Sequence, residues 1–445
     1  MTENSSDQEQ ICIPVSEQRR IVVIGAGFAG ISFIKRLKNK PFQIVLLDQN
    51  NFHQFQPLLY QVATSGIEPD SIVSPVRKLF KGYKNVVFRM AEVLGVDPRK
   101  KVITTNIGNI NFDILVIATG SKTNYFGLHD IEFQSIGMKT IQEALDIRSL
   151  ILQHFERAVI TCDKEEQDVF TNFAIIGGGP AGVEMAGALA EFKRYILPKD
   201  YPELDPKMMS IYLIEANGKV LKTMSDNASE KALKYLQRMG VEVLLNTRVA
   251  SYDGQFIKAN EVLLEAKTVI WTAGVEGNLP EGIPQESVLR GKRIKVDGFL
   301  NLSYYKNIYA IGDVAALIDA DHDRGHPMVA QVAIQQGELV AKNLLRGLKN
   351  QAPEKFVYKD KGSLATIGKR RAVADIGNFK FGGYFAWLLW SVVHLFSISG
   401  FRNKVIVGIN WAWSYFTYDK GNRLIIRKYK EIPGNEPKVM YPFDE

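Results

Sequence analysis

Three glycines at positions 25, 27 and 30, in RRIVVIGAGFAG (residues 19–30), have the spacing to hold a dinucleotide pyrophosphate. Gly25 suits a tight turn, Gly27 lets the backbone approach a phosphate, and Gly30 lets a helix pack closely on a strand. A helix that starts there, at Phe28 and Ala29, turns its first amides and the positive end of its dipole toward the phosphates. FQIVLLD then ends at Asp48, 18 residues after Gly30, with Gln49 beside it, where a carboxylate can accept hydrogen bonds from ribose hydroxyls. FAIIGGGPAGVEMAGALAEF (residues 173–192) repeats the pattern at Gly177, Gly179 and Gly182, with Pro180 and Ala181 at the helix start, and IYLIEA supplies Glu215. Glu215 lies 33 residues after Gly182. The insert RYILPKDYPELDPKMMS reads as a loop that takes up the excess over the usual interval of about 20. An acid there suits NADH and repels the 2′-phosphate of NADPH, with Lys219 as a counterweight. A glycine triplet alone also serves any helix packed on a strand. The order strand, loop, helix, strand, acid is what points to a nucleotide.

Three buried-strand strings must place these groups. FDILVIATG (residues 112–120) brings Ala118, Thr119 and Gly120 back beside the first pyrophosphate site, and VIWTAGV (269–275) does the same for the second with Ala273 and Gly274. NIYAIGDVAA (307–316) stops at Gly312 and Asp313, where an acid beside a glycine can bond a sugar-like chain. Two binding folds in one chain suggest a flavin site interrupted by an inserted nicotinamide site. The expected fold class is α/β, with two Rossmann-like dinucleotide-binding domains, for FAD and NADH, and a C-terminal amphipathic helical membrane anchor. The expected bounds are a flexible arm over 1–18, a flavin domain split between 19–130 and 301–350, an insert over 131–300, and a C-terminal membrane-anchoring region over 351–445.

The chain of 445 residues is 46% hydrophobic, enough for two or three domains. Cys12 and Cys162 stand too far apart for a C-x-x-C pair, which argues against a disulfide framework, a zinc finger or dithiol chemistry. His53, His326 and His394 form no ligand cluster by spacing, so no metal is assigned. The net charge of +7 is concentrated in residues 355–430, where fourteen Lys or Arg face three acids. That region holds four of the five tryptophans and brackets FGGYFAWLLWSVVHLFSISGF (381–401), which lacks any Asp, Glu, Lys or Arg. The mixture favours an anionic lipid surface over nucleic acid. Although 381–401 is long enough to span a bilayer, Ser391, His394 and Ser397 recur at helical spacing as a polar stripe. VIVGINWAWSYFTY (405–418), flanked by Arg402, Lys404, Lys420 and Arg423, repeats the aromatic and cationic composition. Two interfacial helices are therefore expected, one face wet. The same apolar residues also suit a homodimer contact.

Paired G-x-G-x-x-G fingerprints followed by ATG and IGD strings resemble the two-dinucleotide-binding-domain flavoproteins. Within that superfamily FHQFQPLLYQVATSGIEP (52–69), GGGPAGVEMAGALAE (177–191), AQVAIQQGE (330–338) and the tail over 382–424 resemble the type II NADH:quinone oxidoreductases. The resemblance implies FAD in the first site, NADH in the second, and transfer of two electrons to a membrane quinone, ubiquinone or menaquinone, without proton pumping. Glu184, placed in the first turn of the second fingerprint helix, is implied in positioning NADH or in the proton balance at the flavin; an acid there also complements the helix dipole. Gln331 and Gln335, four apart after Ala330, share a helical face. The resemblance places them where the quinone docks, and it places Pro57 against the flavin.

With no cysteine pair to receive electrons, the acceptor must diffuse, and a greasy tail implies one dissolved in lipid. The absence of a presequence-like start points to the cytoplasmic face of a bacterial cell inner membrane. Two alternatives stay open in the sequence: a soluble flavin-dependent NADH oxidase or ferredoxin reductase, and a non-catalytic nucleotide-sensing membrane adaptor.

Overall fold

A computed structural model describes residues 10–417 and 421–429. Along the chain the elements that position the site begin with β1 (Arg20–Ile24), α1 (Phe28–Arg36), β2 (Gln43–Asp48), α2 (Leu59–Ala63), β3 (Val86–Met90) and β4 (Ile114–Ile117). A second series follows: β5 (Phe173–Ile176), α3 (Pro180–Tyr195), β6 (Ile211–Ile214), β7 (Glu242–Leu244) and β8 (Thr268–Trp271). The chain continues through β9 (Tyr305–Ala310), α4 (Ala330–Gly347), β10 (Ser363–Thr366), β11 (Ala372–Ile376), β12 (Phe379–Gly383), α5 (Tyr384–Ser397) and α6 (Phe401–Thr417).

The chain forms two compact units, one of residues 1–53, 74–122 and 275–360, the other of 54–73, 123–274 and 361–445. In the first unit the parallel strands run β9-β4-β1-β2-β3. Register pairs Val22 with Val45 on one side and with Leu115 on the other. The second unit repeats the plan as β8-β5-β6-β7, again parallel, with Phe173 beside Ile211 and Thr268. Each strand that closes the plan, β4 and β8, follows a three-stranded antiparallel meander, over residues 93–111 and 249–265. ILVI and FAII are apolar throughout, and RIVVI and QIVLLD are apolar apart from their polar terminal residues, because central parallel strands are covered on both faces.

Residues 10–14 lie along the first unit. Ile11 donates its amide to the Asn109 carbonyl at 2.9 Å, and the Gln43 side chain donates to the Pro14 carbonyl at 2.6 Å. Within the expected insert, Arg194 and Tyr195 belong to α3, and a short helix, Leu197–Asp200, precedes the turns leading to β6. The central stretch of the second unit runs over 123–274, where an insert over 131–300 is expected from the sequence, and the unit also takes in 54–73 and 361–445.

The second unit also carries the C-terminal sheet β10-β11-β12 and both tail helices. The run 381–401 is not one helix: Phe381 to Gly383 end β12, α5 has 14 residues, and a turn at Gly400 (φ +87°) precedes α6. At about 1.5 Å per residue α5 is roughly 21 Å long, short of a hydrocarbon core of about 30 Å. Among the described residues no helix is long and apolar enough to cross a membrane. Tyr418 and Lys420 lie outside the described residues.

Candidate active site

The two glycine loops are built alike. Gly25 (φ +107°) sits so close to the returning strand that a β-carbon would lie 2.3 Å from the Ala118 carbonyl oxygen, and Gly177 (φ +113°) presses on Ala273 in the same way. A β-carbon on Gly30 would lie 2.0 Å from the Gly25 oxygen, and one on Gly182 would lie 1.9 Å from the Gly177 oxygen. The first and third glycines are therefore required by the protein itself. The middle ones differ. Gly27 and Gly179 adopt extended backbone that any residue can take, and a β-carbon there meets nothing within 4 Å. Neither α1 nor α3 has a side-chain cap or an acid in its first turn, so both N-termini keep their anion-attracting character. This fits a dinucleotide pyrophosphate.

The acids lock each loop to the second strand. Asp48 accepts from the Ala26 amide at 2.6 Å and the Asn50 amide at 2.7 Å, and its burial pushes its pKa up. Glu215 accepts from the Gly178 amide at 2.6 Å and the Asn217 amide at 2.7 Å. A carboxylate has about four acceptor positions, so each retains capacity for ribose hydroxyls. Lys219 pairs with Asp226 at 2.7 Å. Gln49 follows Asp48, and Thr119 and Gly120 (φ +72°) follow Ala118 at the end of β4. Gly274 is covered by the Phe126 ring, which a β-carbon would meet at 2.5 Å.

At the end of β9, Gly312 (φ +75°) donates its amide to Gln336 Oε1 at 2.7 Å, and the Asp313 carboxylate accepts from the Ser121 hydroxyl. Sequence reasoning missed Gln336, which is fully buried on the face of α4 opposite its neighbours. It also missed Arg293, whose buried guanidinium donates to the carbonyls of Asp313, Ala315, Arg324 and His326. Gln335 uses both ends of its amide on Lys359, at 2.9 and 3.0 Å, which makes it a brace for the segment that follows α4. Gln331 lies in the first turn of α4 beside Ala330, 3.5 Å from Asp360. Pro57 occupies the 3-10 turn Gln56–Leu58 ahead of α2.

Glu184 lies in the second turn of α3, not the first, because the helix begins at Pro180. It is buried. Desolvation raises its carboxyl to about 8, while the Thr366 amide at 3.3 Å and the neighbouring Trp390 indole offset this only in part. Burial and the Glu184 charge also hold the Tyr60 hydroxyl protonated. One turn and two turns on, Ala188 and Glu191 line a cavity with Tyr60, Thr366, Trp387, Trp390, Trp411 and Tyr415. A hydrogen-bond chain runs beside it: the Trp411 indole donates to Gln61 Oε1 at 2.8 Å, and Gln61 Nε2 donates to the Tyr60 hydroxyl at 2.9 Å.

The tail helices reverse the expected polarity. Ser391, His394 and Ser397 bond the carbonyls of Trp387, Trp390 and Val393 on their own helix, and the His394 ring stacks on Trp390 at 4.2 Å. The exposed stripe is the apolar one, with Phe385, Leu388, Val392 and Phe396 on α5 and Phe401, Val405, Ile409, Trp413 and Phe416 on α6. Polar groups of α6 face the protein: Asn403 donates to the Val73 carbonyl at 2.8 Å. The cations expected to meet lipid are largely occupied. Arg402 lies 3.6 Å from Asp70, Arg423 pairs with Asp200, and Lys404 donates to the Phe396 carbonyl.

His53 Nδ1 lies 2.9 Å from the Ala26 carbonyl, and burial lowers this histidine to about 4. His326 lies with Asp319 and with His322, one of the three histidines that the spacing argument left out.

Residues 19–337 match the family model described as pyridine nucleotide-disulphide oxidoreductase, and residues 361–417 match the NDH2 C-terminal domain. A type II NADH:quinone oxidoreductase of Mycobacterium tuberculosis, NdhA, is 34% identical over 92% of this chain and 90% of its own length. The chain belongs to the type II NADH:quinone oxidoreductases. A Staphylococcus aureus type II NADH:quinone oxidoreductase is 29% identical over 86% of this chain and 97% of its own. Plasmodium falciparum NDH2, solved in complex with NADH, has the same fold at a TM-score of 0.84 and 22% identity, covering 92% of this chain and all of the other. In this type II family the tail domain is thus a recognised unit, and it supplies Thr366, Trp387, Trp390, Trp411 and Tyr415 to the cavity wall.

Proposed function

We infer that this chain oxidises NADH and reduces a membrane quinone through FAD, without pumping protons. The observation that carries the quinone half is that α5 and α6 present an apolar stripe outward while their inner side chains line a cavity beside Glu184 and Tyr60. FAD, when bound, supplies a centre that accepts a hydride and releases electrons singly or in pairs.

The first unit would hold FAD: the Gly25–Gly27–Gly30 loop with Phe28 and Ala29 at the pyrophosphate, Asp48 and Gln49 at the ribose, Ala118 to Gly120 beside the loop, and Gly312 and Asp313 along the sugar-like chain. The second unit would hold NADH through Gly177, Gly179 and Gly182, the start of α3 at Pro180 and Ala181, Glu215, Ala273 and Gly274. Glu215→Ala is expected to raise the KM for NADH about tenfold or more, the worth of a hydrogen bond to a charged group, and to leave that for NADPH little changed. Steady-state rates with both nucleotides check this, and an unchanged ratio would remove Glu215 from the ribose.

Tyr60, which lines the quinone cavity, keeps its hydroxyl hydrogen, and Glu184, beside the cavity and not in its wall, keeps its proton at neutral pH, so the pair can supply protons toward a reduced quinone oxygen. Gln331 is assigned to the quinone carbonyl and Pro57 to the flavin ring, on the family pattern of their motifs. Glu184→Gln is expected to lower quinone turnover by about 100-fold and to lack the fall in rate expected of the parent enzyme above pH about 8. Because the folded value lies above the ordinary one, the proton on Glu184 stabilises the fold below the unfolded value, and that stability is lost as pH rises through about 8. The melting temperature of Glu184→Gln should therefore hold up better than the parent's toward pH 9. Parallel curves would contradict the assignment.

The apolar stripe supports placing the enzyme peripherally on a membrane; the excess of Lys and Arg over residues 355–430 is what favours an anionic lipid surface, and the use of NADH is what favours the cytoplasmic face of a cell inner membrane. A homodimer formed through the same stripe is the competing arrangement, tested below.

A further inference from the structure

The connection between the strand Ala315–Leu317 and α4 carries three side chains that neither nucleotide site uses. Asp319, His322 and His326 each point one ligand atom into a space less than 4.8 Å across. His322 Nδ1 lies 2.8 Å from Asp319 Oδ1, His326 Nε2 lies 3.0 Å from Asp319 Oδ2, and the two imidazole rings lie 4.1 Å apart. His326 is only 2% exposed; its Nε2 is paired with the Asp319 carboxylate, while its buried Nδ1 has no hydrogen-bond partner. A buried imidazole nitrogen left without a partner is uncommon, and two imidazoles converging on one carboxylate form the kind of ligand set that holds a metal ion.

The surroundings are built to hold the arrangement. The Phe356 and Tyr358 rings pack on His326 at 5.3 and 5.7 Å. Arg293 clamps the backbone of the connection at the carbonyls of Arg324 and His326. Two imidazole nitrogens and one carboxylate oxygen are the donor set of borderline first-row divalent cations, whereas magnesium and calcium require oxygen. Tetrahedral zinc at about 2.0–2.1 Å from each ligand spaces the ligands about 3.3 Å apart. The two separations from Asp319, 2.8 and 3.0 Å, need to open by only a few tenths of an ångström, and all three ligand atoms already lie within 4.8 Å of one another.

We propose that Asp319, His322 and His326 bind a divalent cation of the zinc class, with the remaining coordination position open to water. The site fixes the connection that leads directly into Ala330 and Gln331, so occupancy stiffens the start of α4.

The test uses tag-free, full-length holoenzyme stripped with chelator and titrated with zinc chloride alone. Bound zinc is measured by elemental analysis after gel filtration, and affinity by competition with a chromophoric chelator. One zinc per chain is expected, unaffected by excess magnesium or calcium, with a rise in melting temperature on addition. His322→Ala, at the partly exposed position, should weaken binding at least 100-fold while flavin content and circular dichroism stay at parent values. Asp319→Asn should act in the same direction. Failure of the parent to retain stoichiometric zinc, or equal retention by His322→Ala and Asp319→Asn, overturns the proposal. Both readouts are independent of turnover, so they stand apart from the quinone reductase reading.

Discussion

Gly179→Val is expected to give a folded, yellow protein whose flavin NADH no longer bleaches, and Gly27→Val a folded protein without colour. At both positions the backbone is extended and a β-carbon meets nothing within 4 Å, so valine should cost the apoprotein little. The space that it would fill is the one into which α3 or α1 points its uncapped first turn. A branched side chain there excludes a pyrophosphate. A loss of about 1,000-fold in affinity, or about 4 kcal/mol, is the scale expected when a ligand's anchoring group is displaced. The contrast with the flanking glycines makes the result specific. Gly25→Val and Gly177→Val combine positive φ with backbone overlap, and should fail in folding rather than in binding. Flavin absorbance after gel filtration, circular dichroism and stopped-flow bleaching separate these outcomes. A Gly179→Val protein still bleached at the parent's rate would move NADH away from α3.

Phe385→Ser, Phe396→Ser, Trp413→Ser and Phe416→Ser combined should release the enzyme from membranes while leaving it folded. These rings are 64–81% exposed, so the core does not depend on them. Each is worth roughly 1.5–3 kcal/mol when fully removed from water. Even half the lower figure, over four rings, is a partition factor above about 100. The variant should reduce a short-chain, water-soluble quinone near the parent rate and lose most of its rate with a long-chain quinone in vesicles. Sedimentation with liposomes and solution mass measurement supply the readouts. If the parent is a dimer that the four changes dissociate, with liposome binding unaltered, the stripe serves a second copy rather than lipid. Deleting the tail is the poorer experiment, because Trp390 is buried against the Glu184 site and β12 completes a sheet.

The nucleotide cradles were legible because their glycines are demanded by local geometry. The turn at Gly25, the approach of Ala118 and the Gly30 contact all arise within one strand–loop–helix unit and its returning strand. Asp48 and Glu215 were legible for the same reason, since each ends the strand next to its loop. Residues whose roles come from distant packing were not. Gln336 bonds Gly312 from across the helix, Arg293 gathers carbonyls from four residues, and Tyr60 meets Glu184 only after the chain has travelled more than a hundred residues. Glu184 was singled out from its motif, but its position on the helix was read one turn too early, because Pro180 sets the helix start. The tail misled in an instructive way: Ser391, His394 and Ser397 do recur at helical spacing, yet they satisfy carbonyls of their own helix, and the apolar face is left outside. Periodicity gives the faces of a helix without saying which one meets water. His322 was overlooked since only Asp319 and His326 together make its position meaningful.

The central claim is that electrons leave this protein on a quinone after passing through its flavin. Anaerobic stopped-flow spectroscopy of the membrane-reconstituted enzyme tests it most directly, by mixing first with NADH and then with a long-chain quinone. Rapid bleaching followed by full return of the oxidised flavin spectrum, one quinone consumed per NADH, is the predicted result. A flavin that NADH reduces but no ubiquinone or menaquinone reoxidises would contradict the account.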